Sequence, residues 1–311
     1  MTHEYAIEMR HEQTRNRRAA IEMLFAAFGF ATMNCIAHGF SGVVAWPIVA
    51  FSRIALTMVL VHLALWRYGA PWLLRGNRAL WCRSLAGSMG LCCTFYAVTR
   101  LPVTDTVTIY ATSPVWITLI LVLVFRRKIH AHVWLHVGLA LAGVYIMHRP
   151  AFDAESLPLL IALFGSMAAA TAKVALSFLH NVHPLSVVAH YSAVATAVSL
   201  CLSLLVVDRI VAGGGVAPAV YLWLLPMGVA GTLAQLLVTM AYGRGSTTMV
   251  ALVGISQIVF AGIYDVAVWG HGFDFWKVAG ILMIACAIVL SVRASAANRR
   301  AAAAGNGEAA P

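Results

Sequence analysis

Four ionisable side chains lie deep inside otherwise apolar stretches of the sequence: Arg53, Lys173, His190 and Asp265. A charged group well inside a membrane helix costs roughly 2.5–3.5 kcal/mol, so it is expected to face a cavity or a partner. Arginine and lysine bind carboxylate and phosphate groups, and lysine, histidine and aspartate can exchange a proton. We therefore predict that these residues bind a charged solute or move protons.

The same residues also have structural interpretations. Arg53 could tie backbone carbonyls or lipid headgroups, and His190 could simply be hydrogen-bonded within the protein. Asp265 could be a proton carrier or the counter-ion of a basic neighbour. Lys173 differs from them because the small residues at 169–172 leave room around it for water or solute.

Uncharged polar residues in apolar stretches form a second group of candidates. Pro114 removes a backbone hydrogen bond, and we predict that it frees a carbonyl about halfway through a membrane helix. The alternative role of such polar residues is to hold helices together, through hydrogen bonds worth roughly 0.6–2 kcal/mol each. The predicted solute contacts in this group are Asn34, Tyr96, Tyr110, Ser113 and Gln257.

The elements that must position these residues are apolar stretches long enough to cross a membrane. Of 311 residues, 61% are hydrophobic and 10% are charged, which is more apolar surface than a soluble core needs. A membrane helix takes roughly 20 apolar residues. Ten such helices are predicted, at about 19–40, 47–66, 80–99, 103–125, 131–147, 157–179, 184–207, 218–242, 248–270 and 275–293. The predicted fold is an all-α integral membrane protein.

Motifs for other functions are missing from the sequence. The six cysteines lie in apolar stretches without CxxC or Cys/His ligand spacing, which indicates packing residues and no metal site. There is no HExxH, GxSxG or GxxxxGK(S/T) motif, so we predict that the chain is not an enzyme, has no cofactor and does not use ATP itself. The alternatives to a carrier are a receptor or assembly module and an intramembrane enzyme.

Basic residues are distributed unevenly between the apolar stretches. With the N-terminus in the cytoplasm, 15 of the 21 Lys and Arg, including Arg83, fall on the cytoplasmic side. Only Arg100, Arg149, Arg209 and Lys277 fall on the outer side. Since basic residues resist translocation, we predict an inner (plasma) membrane protein with both termini in the cytoplasm. This topology accounts for the net charge of +10 without nucleic acid.

Two halves of the sequence resemble one another, with five predicted helices in each. An odd number of helices inserts the second copy upside down, which is the architecture of many secondary transporters. We predict inverted repeats at 20–150 and 157–293, between a cytoplasmic N-terminal segment (1–19) and a disordered cytoplasmic tail (294–311). The matching pairs are Phe28-Gly29 with Phe164-Gly165, Pro47 with Pro184, Arg53 with His190, and Ser113 with Gln257.

Several motifs carry a family resemblance: Phe95-Tyr96-Ala97, Leu101 to Thr106, Ser113-Pro114, Ala142-Gly143 and Arg149-Pro150. This pattern resembles the drug/metabolite transporter superfamily in its EamA branch of ten-helix permeases, over about residues 20–293. The resemblance implies a secondary carrier that moves a small metabolite by alternating access, usually with protons or by exchange. The sequence departs from the family where a Gly-Glu pair commonly ends the fourth helix and at its ninth-helix counterpart. Arg126-Arg127 and Gly270-His271 stand there instead.

The candidate residues carry more positive than negative charge. Because Asp265 is the one acid available to Arg53, Lys173 and His190, we predict an anionic or zwitterionic solute with an acidic group near Arg53 and Lys173. Protons are a candidate coupling ion through Asp265, His190 or Lys173, with plain exchange as the alternative. The predicted partners are the solute and the lipid bilayer, and the sequence leaves open whether the chain forms a homodimer.

Overall fold

The structure, a computed structural model, describes residues 3–72, 77–101, 106, 109–126, 131–148, 156–205, 222–269, 275–276, 278–290 and 293. All regular secondary structure in these ranges is helical. The predicted tail at 294–311 lies outside the described residues. The helices are α1 (His3–His38), α2 (Trp46–Tyr68), α3 (Arg78–Val98), α4 (Ser113–Leu123), α5 (Ala131–His148), α6 (Ser156–Ser177), α7 (Pro184–Leu204), α8 (Leu224–Arg244), α9 (Thr247–Gly254), α10 (Ser256–Trp269) and α11 (Val278–Leu290).

Within the described ranges, six helical spans are long and apolar enough to cross a membrane. They are Gln13–His38 of α1, Leu157–Ser177 of α6, the whole of α2, α7 and α8, and Thr247–Val268 across α9 and α10. Large apolar side chains on the outside remain exposed, such as Leu63 at 57% and Trp66 at 79%, where lipid suits them better than water. These findings confirm the predicted all-α membrane architecture. The count of ten crossings stays a prediction.

Helix ends follow local sequence signals. Pro47 and Pro184 stand in the first turns of α2 and α7, where the missing N–H of proline has no helical partner to lose. Asn77 caps α3, its side-chain oxygen accepting a hydrogen bond from the Leu80 N–H at 2.9 Å. Gly69 ends α2 in the left-handed conformation, with φ of 65°, which glycine adopts without strain.

The fourth predicted helix is interrupted near its middle. Residues 106, 109 and 110 are helical, a turn follows at 111 and 112, and α4 begins at Ser113, so Pro114 lies in the first turn after the interruption. Proline is well tolerated in a first turn, which explains why the helix starts there. The predicted N-terminal segment 1–19 is helical from His3, where α1 begins. The ninth predicted helix is interrupted at Ile255, between α9 and α10.

The packing of the helices is arranged in matching pairs. Helix α1 packs against α8, and α6 packs in the same way against α3. The contacts of α2 with α8 and of α7 with α3 form a second such pair, and α2 also packs directly against α7. Glycines allow the close approaches: a Cβ on Gly29 would lie 3.0 Å from Ala234 Cβ, and one on Gly90 would lie 3.3 Å from Ala169 Cβ. If each helix of the first predicted half is replaced by its counterpart in the second half, and the reverse, the α1–α8 contact becomes the α6–α3 contact and the α2–α8 contact becomes the α7–α3 contact.

Candidate functional site

A cavity with a volume of about 210 Å³ lies in the interior of the helix bundle. A single water needs roughly 10–15 Å³, so the cavity has room for a small molecule. Its walls come from α1 to α4 and from α6 to α10, whereas none of the described residues of α5 and α11 lines it. The cavity is therefore built from both predicted halves of the chain.

Three cationic side chains line this cavity: Arg53 on α2, Arg83 on α3 and Lys173 on α6. Arg53 is 1% exposed and Arg83 is 5% exposed. The described lining residues include neither aspartate nor glutamate. Buried charges are usually paired, because burial without a partner is costly. The cavity consequently presents an excess of positive charge to anything that enters it.

Arg53 is only partly satisfied by the protein. Its Nη2 donates a hydrogen bond to the Gly231 carbonyl of α8 at 3.2 Å, while Nε and Nη1 have no hydrogen-bond partner. A Cβ on Gly231 would lie 2.8 Å from Arg53 Nε, so the absence of a side chain makes room for the guanidinium. Thr57, one turn further along α2, adds a contact to α8 through the Thr232 hydroxyl at 2.8 Å. Arg53 is thus held between α2 and α8, and its Nε and Nη1 remain available as hydrogen-bond donors.

Arg83 stacks on an aromatic ring. Its guanidinium carbon lies 4.2 Å from the centre of the Tyr191 ring of α7, a cation–π arrangement that holds the guanidinium in place. The Nε of Arg83 is buried and has no hydrogen-bond partner. A Cβ on Gly87, one turn along the same helix, would collide with Arg83 Nη1 and lie 3.0 Å from Tyr191 Cε2. Gly87 therefore provides the space in which Arg83 and Tyr191 meet.

Lys173 lies opposite the start of α4. Its Nζ donates a hydrogen bond to the Ser113 hydroxyl at 3.3 Å, and Ser113 is the first residue of α4. Gln257, the predicted counterpart of Ser113, is the second residue of α10 and also lines the cavity. The first turns of α4 and α10 therefore both contribute polar side chains to the cavity.

Other polar lining residues also lack hydrogen-bond partners. They are Thr106, Gln235 and Tyr242, whose Oγ1, Nε2 and hydroxyl oxygen are buried and unpaired. Buried polar atoms are nearly always paired, and an unpaired one costs about 1–3 kcal/mol. The unpaired nitrogens of Arg53, Arg83 and Gln235 can only donate. The cavity is thus suited to a molecule rich in hydrogen-bond acceptors.

Most of the sequence-predicted site residues come together here. The six that line the cavity are Arg53, Lys173, Asn34, Tyr110, Ser113 and Gln257. His190 does not line it. Its Nδ1 shares a hydrogen bond of 2.7 Å with the Ser84 hydroxyl, and its ring meets Trp81 edge to face. Tyr96 does not line it either, because its ring lies between Trp46 and the Arg100 guanidinium. The side chain of Asp265 lies outside the described part of the structure.

Arg83 was missed as a site residue. It was counted among the cytoplasmic charges, because it lies near the start of a helix that follows a basic loop. The structure instead buries its side chain in the cavity. One sequence signal points inward: Arg83 shares a helix face with Gly87 and Gly90, at spacings of one and two turns. Small residues on the same face leave space for a long side chain.

The helical fold, its exposed apolar surface and its cationic cavity are those of a multi-pass membrane protein. The family model for the EamA-like transporter family matches residues 17–149 and again residues 156–293. The chain belongs to the EamA-like transporter family. It is therefore a membrane transporter of a small molecule, and the prediction that it is not an enzyme is confirmed.

Relatives and solved structures agree with this assignment. Two proteins described as pseudopaline exporters, from Pseudomonas aeruginosa strains UCBPP-PA14 and PAO1, are each 28% identical over 273 residues. Each alignment covers 86% of this chain and 94% of the relative. A solved crystal structure superimposes with a TM-score of 0.71 at 15% identity, covering 93% of this chain and 98% of its own. At that identity, the structural likeness establishes the fold alone.

Proposed function

We propose that this transporter exports a small anionic or zwitterionic metabolite by alternating access, and that the solute binds in the cationic cavity. The observation that carries the proposal is the combination of three cations with no described acidic lining residue. A carboxylate or phosphate would neutralise this charge and accept hydrogen bonds from the unpaired nitrogens of Arg53 and Arg83. The direction of transport is proposed from the relatives, which are described as exporters.

The proposed contacts begin with Arg53 and Lys173, which bind an acidic group of the solute. Ser113 already accepts a hydrogen bond from Lys173, so the serine can orient the amino group toward the solute. Asn34, Tyr110 and Gln257 are further proposed contacts, because they also line the cavity. Tyr96 and His190 have other neighbours, and their roles as substrate contacts stay predictions.

Alternating access is proposed to depend on two inverted repeats. The matched packing of α1 with α8 and of α6 with α3 supports this arrangement, as does the second match of the family model at 156–293. Inverted repeats can exchange inward-open and outward-open shapes around a central site. The solute would then be released on the opposite side when the two halves exchange their conformations.

Both termini are proposed to lie in the cytoplasm, with the chain in the inner membrane. The excess of Lys and Arg on the predicted cytoplasmic side supports this orientation. At the end of α2, Arg67 is flanked in the sequence by Trp66, Tyr68 and Trp72, which are all exposed. Aromatic and basic residues are typical of a membrane–water interface.

Counterflow in reconstituted vesicles tests the proposed function. Vesicles loaded with one unlabelled metabolite from an anion panel should accumulate the same labelled compound transiently and saturably. Arg53→Gln and Lys173→Gln should abolish this movement while the protein still inserts, since each change also removes a charge from a membrane helix. Arg67→Gln, at the exposed end of α2, is the matched control and should transport normally. Movement of permanent cations alone, or normal transport by either cavity variant, would contradict the proposal.

A further inference from the structure

The position of Arg83 gives the cavity more positive charge than one acidic group can neutralise. Arg83 lines the same cavity as Arg53 and Lys173, and its side chain is 5% exposed. A solute with a single acidic group near Arg53 and Lys173 would leave the charge of Arg83 buried and uncompensated.

We propose that the solute carries two acidic groups and that Arg83, stacked on Tyr191, binds the second of them. This inference rests on the proposed function, which requires only one acidic group. It makes Arg83 the residue that selects dianions over monoanions.

The geometry of Arg83 suits this role better than a structural one. Stacking on Tyr191 occupies one face of the guanidinium and leaves its edge, which carries the N–H donors, available to a ligand. The buried Nε on that edge has no hydrogen-bond partner. A carboxylate can accept from Nε and a terminal nitrogen together, in the two-point arrangement that arginine favours.

The rest of the cavity suits a linker between two acidic groups. Arg53 is held at α8 by the Gly231 carbonyl, whereas Lys173 is held at α4 by Ser113. Arg83, on α3, projects from a third helix. Leu91 and Phe95, further along α3, line the same cavity and provide apolar contact for a short carbon chain. Acidic groups at both ends of such a chain could each reach a cation.

Isosteric pairs of probes test the inference directly. The probes are the dicarboxylates from malonate to adipate, each compared with its own monoamide, which has nearly the same size and one charge fewer. Affinities are measured on the purified full-length protein from ligand-induced thermal stabilisation. Wild-type protein should bind at least one dicarboxylate about 10- to 150-fold more tightly than its monoamide, the range expected for one hydrogen-bonded charge contact.

Variants of Arg83 assign this selectivity to a residue. Arg83→Gln should remove the preference for the dicarboxylate and leave the affinity for the monoamide nearly unchanged. Arg78→Gln, at the exposed start of the same helix, is the matched control and should keep the wild-type ratio. The ratio of the dicarboxylate affinity to the monoamide affinity is informative, because a general loss of protein stability would weaken the binding of both ligands equally.

Three results would overturn the inference. The first is that wild-type protein binds every dicarboxylate and its monoamide with equal affinity. The second is that Arg83→Gln lowers the affinities for the dicarboxylate and the monoamide by the same factor. The third is a wild type that binds none of the dicarboxylates but does bind and transport a monoanion or zwitterion from the metabolite panel. In that third case the proposed function stands. If no anion or zwitterion of any kind is bound or transported, the proposed function fails as well.

Discussion

Replacement of Arg53 by methionine is expected to separate stability from binding. In the absence of solute, the variant loses one hydrogen bond from a charged donor to the Gly231 carbonyl, worth about 1.5–3 kcal/mol. It also loses a buried charge with two unpaired nitrogens, whose insertion costs roughly 2.5–3.5 kcal/mol. The two effects nearly cancel, so the solute-free protein should be as stable as wild type or more stable by up to about 2 kcal/mol.

Binding should change in the opposite sense. An anion that accepts hydrogen bonds from Arg53 loses about 1.5–3 kcal/mol of interaction, which lowers its affinity roughly 10- to 150-fold. Thermal unfolding in detergent, with and without the anion that gives the largest shift in wild type, measures both quantities. Arg67→Met is the control, because this exposed residue on the same helix should alter stability by less than about 0.5 kcal/mol. A solute-free Arg53→Met protein clearly less stable than the control would show that Arg53 is a structural tie, and the reasoning would fail.

Three further predictions concern space, topology and coupling. Gly87→Ala should lower the free energy of unfolding by about 1–3 kcal/mol through overpacking, and it should also weaken anion binding. Gly138→Ala is the control, because its Cβ would meet nothing within 4 Å. In the same thermal and binding assays this variant should be neutral or stabilising. A reporter fused after Arg300 should be active in the cytoplasm, and a periplasmic signal there would contradict an even number of crossings. An imposed pH gradient should change the rate of counterflow in vesicles if Lys173 or another titratable group at membrane depth carries protons; equal rates with and without the gradient would favour plain exchange.

The sequence predicted the parts of this molecule that depend on hydrophobicity and charge alone. The sequence predicted that Arg53 and Lys173 face a cavity, because an isolated charge in a membrane helix is costly in any sequence context. Both residues line the cavity. Arg83 was not predicted to line it, because a count of charges cannot tell whether an arginine near a helix end points toward headgroups or inward. That choice depends on Tyr191, which is distant in sequence and meets Arg83 only in the folded bundle. Hydrophobicity also conceals the interruption before α4, since the apolar pattern continues through Pro114 while the helix is replaced by a turn at residues 111 and 112.

The anchoring of the two cations has a consequence for how the protein tolerates change. Arg53 belongs to the first predicted half and is hydrogen-bonded to Gly231 in the second, while Lys173 belongs to the second half and is hydrogen-bonded to Ser113 in the first. Each half therefore orients the charge that the other half carries. A side chain added at Gly231, or loss of the Ser113 hydroxyl, would therefore alter the environment of the cation that belongs to the other predicted half.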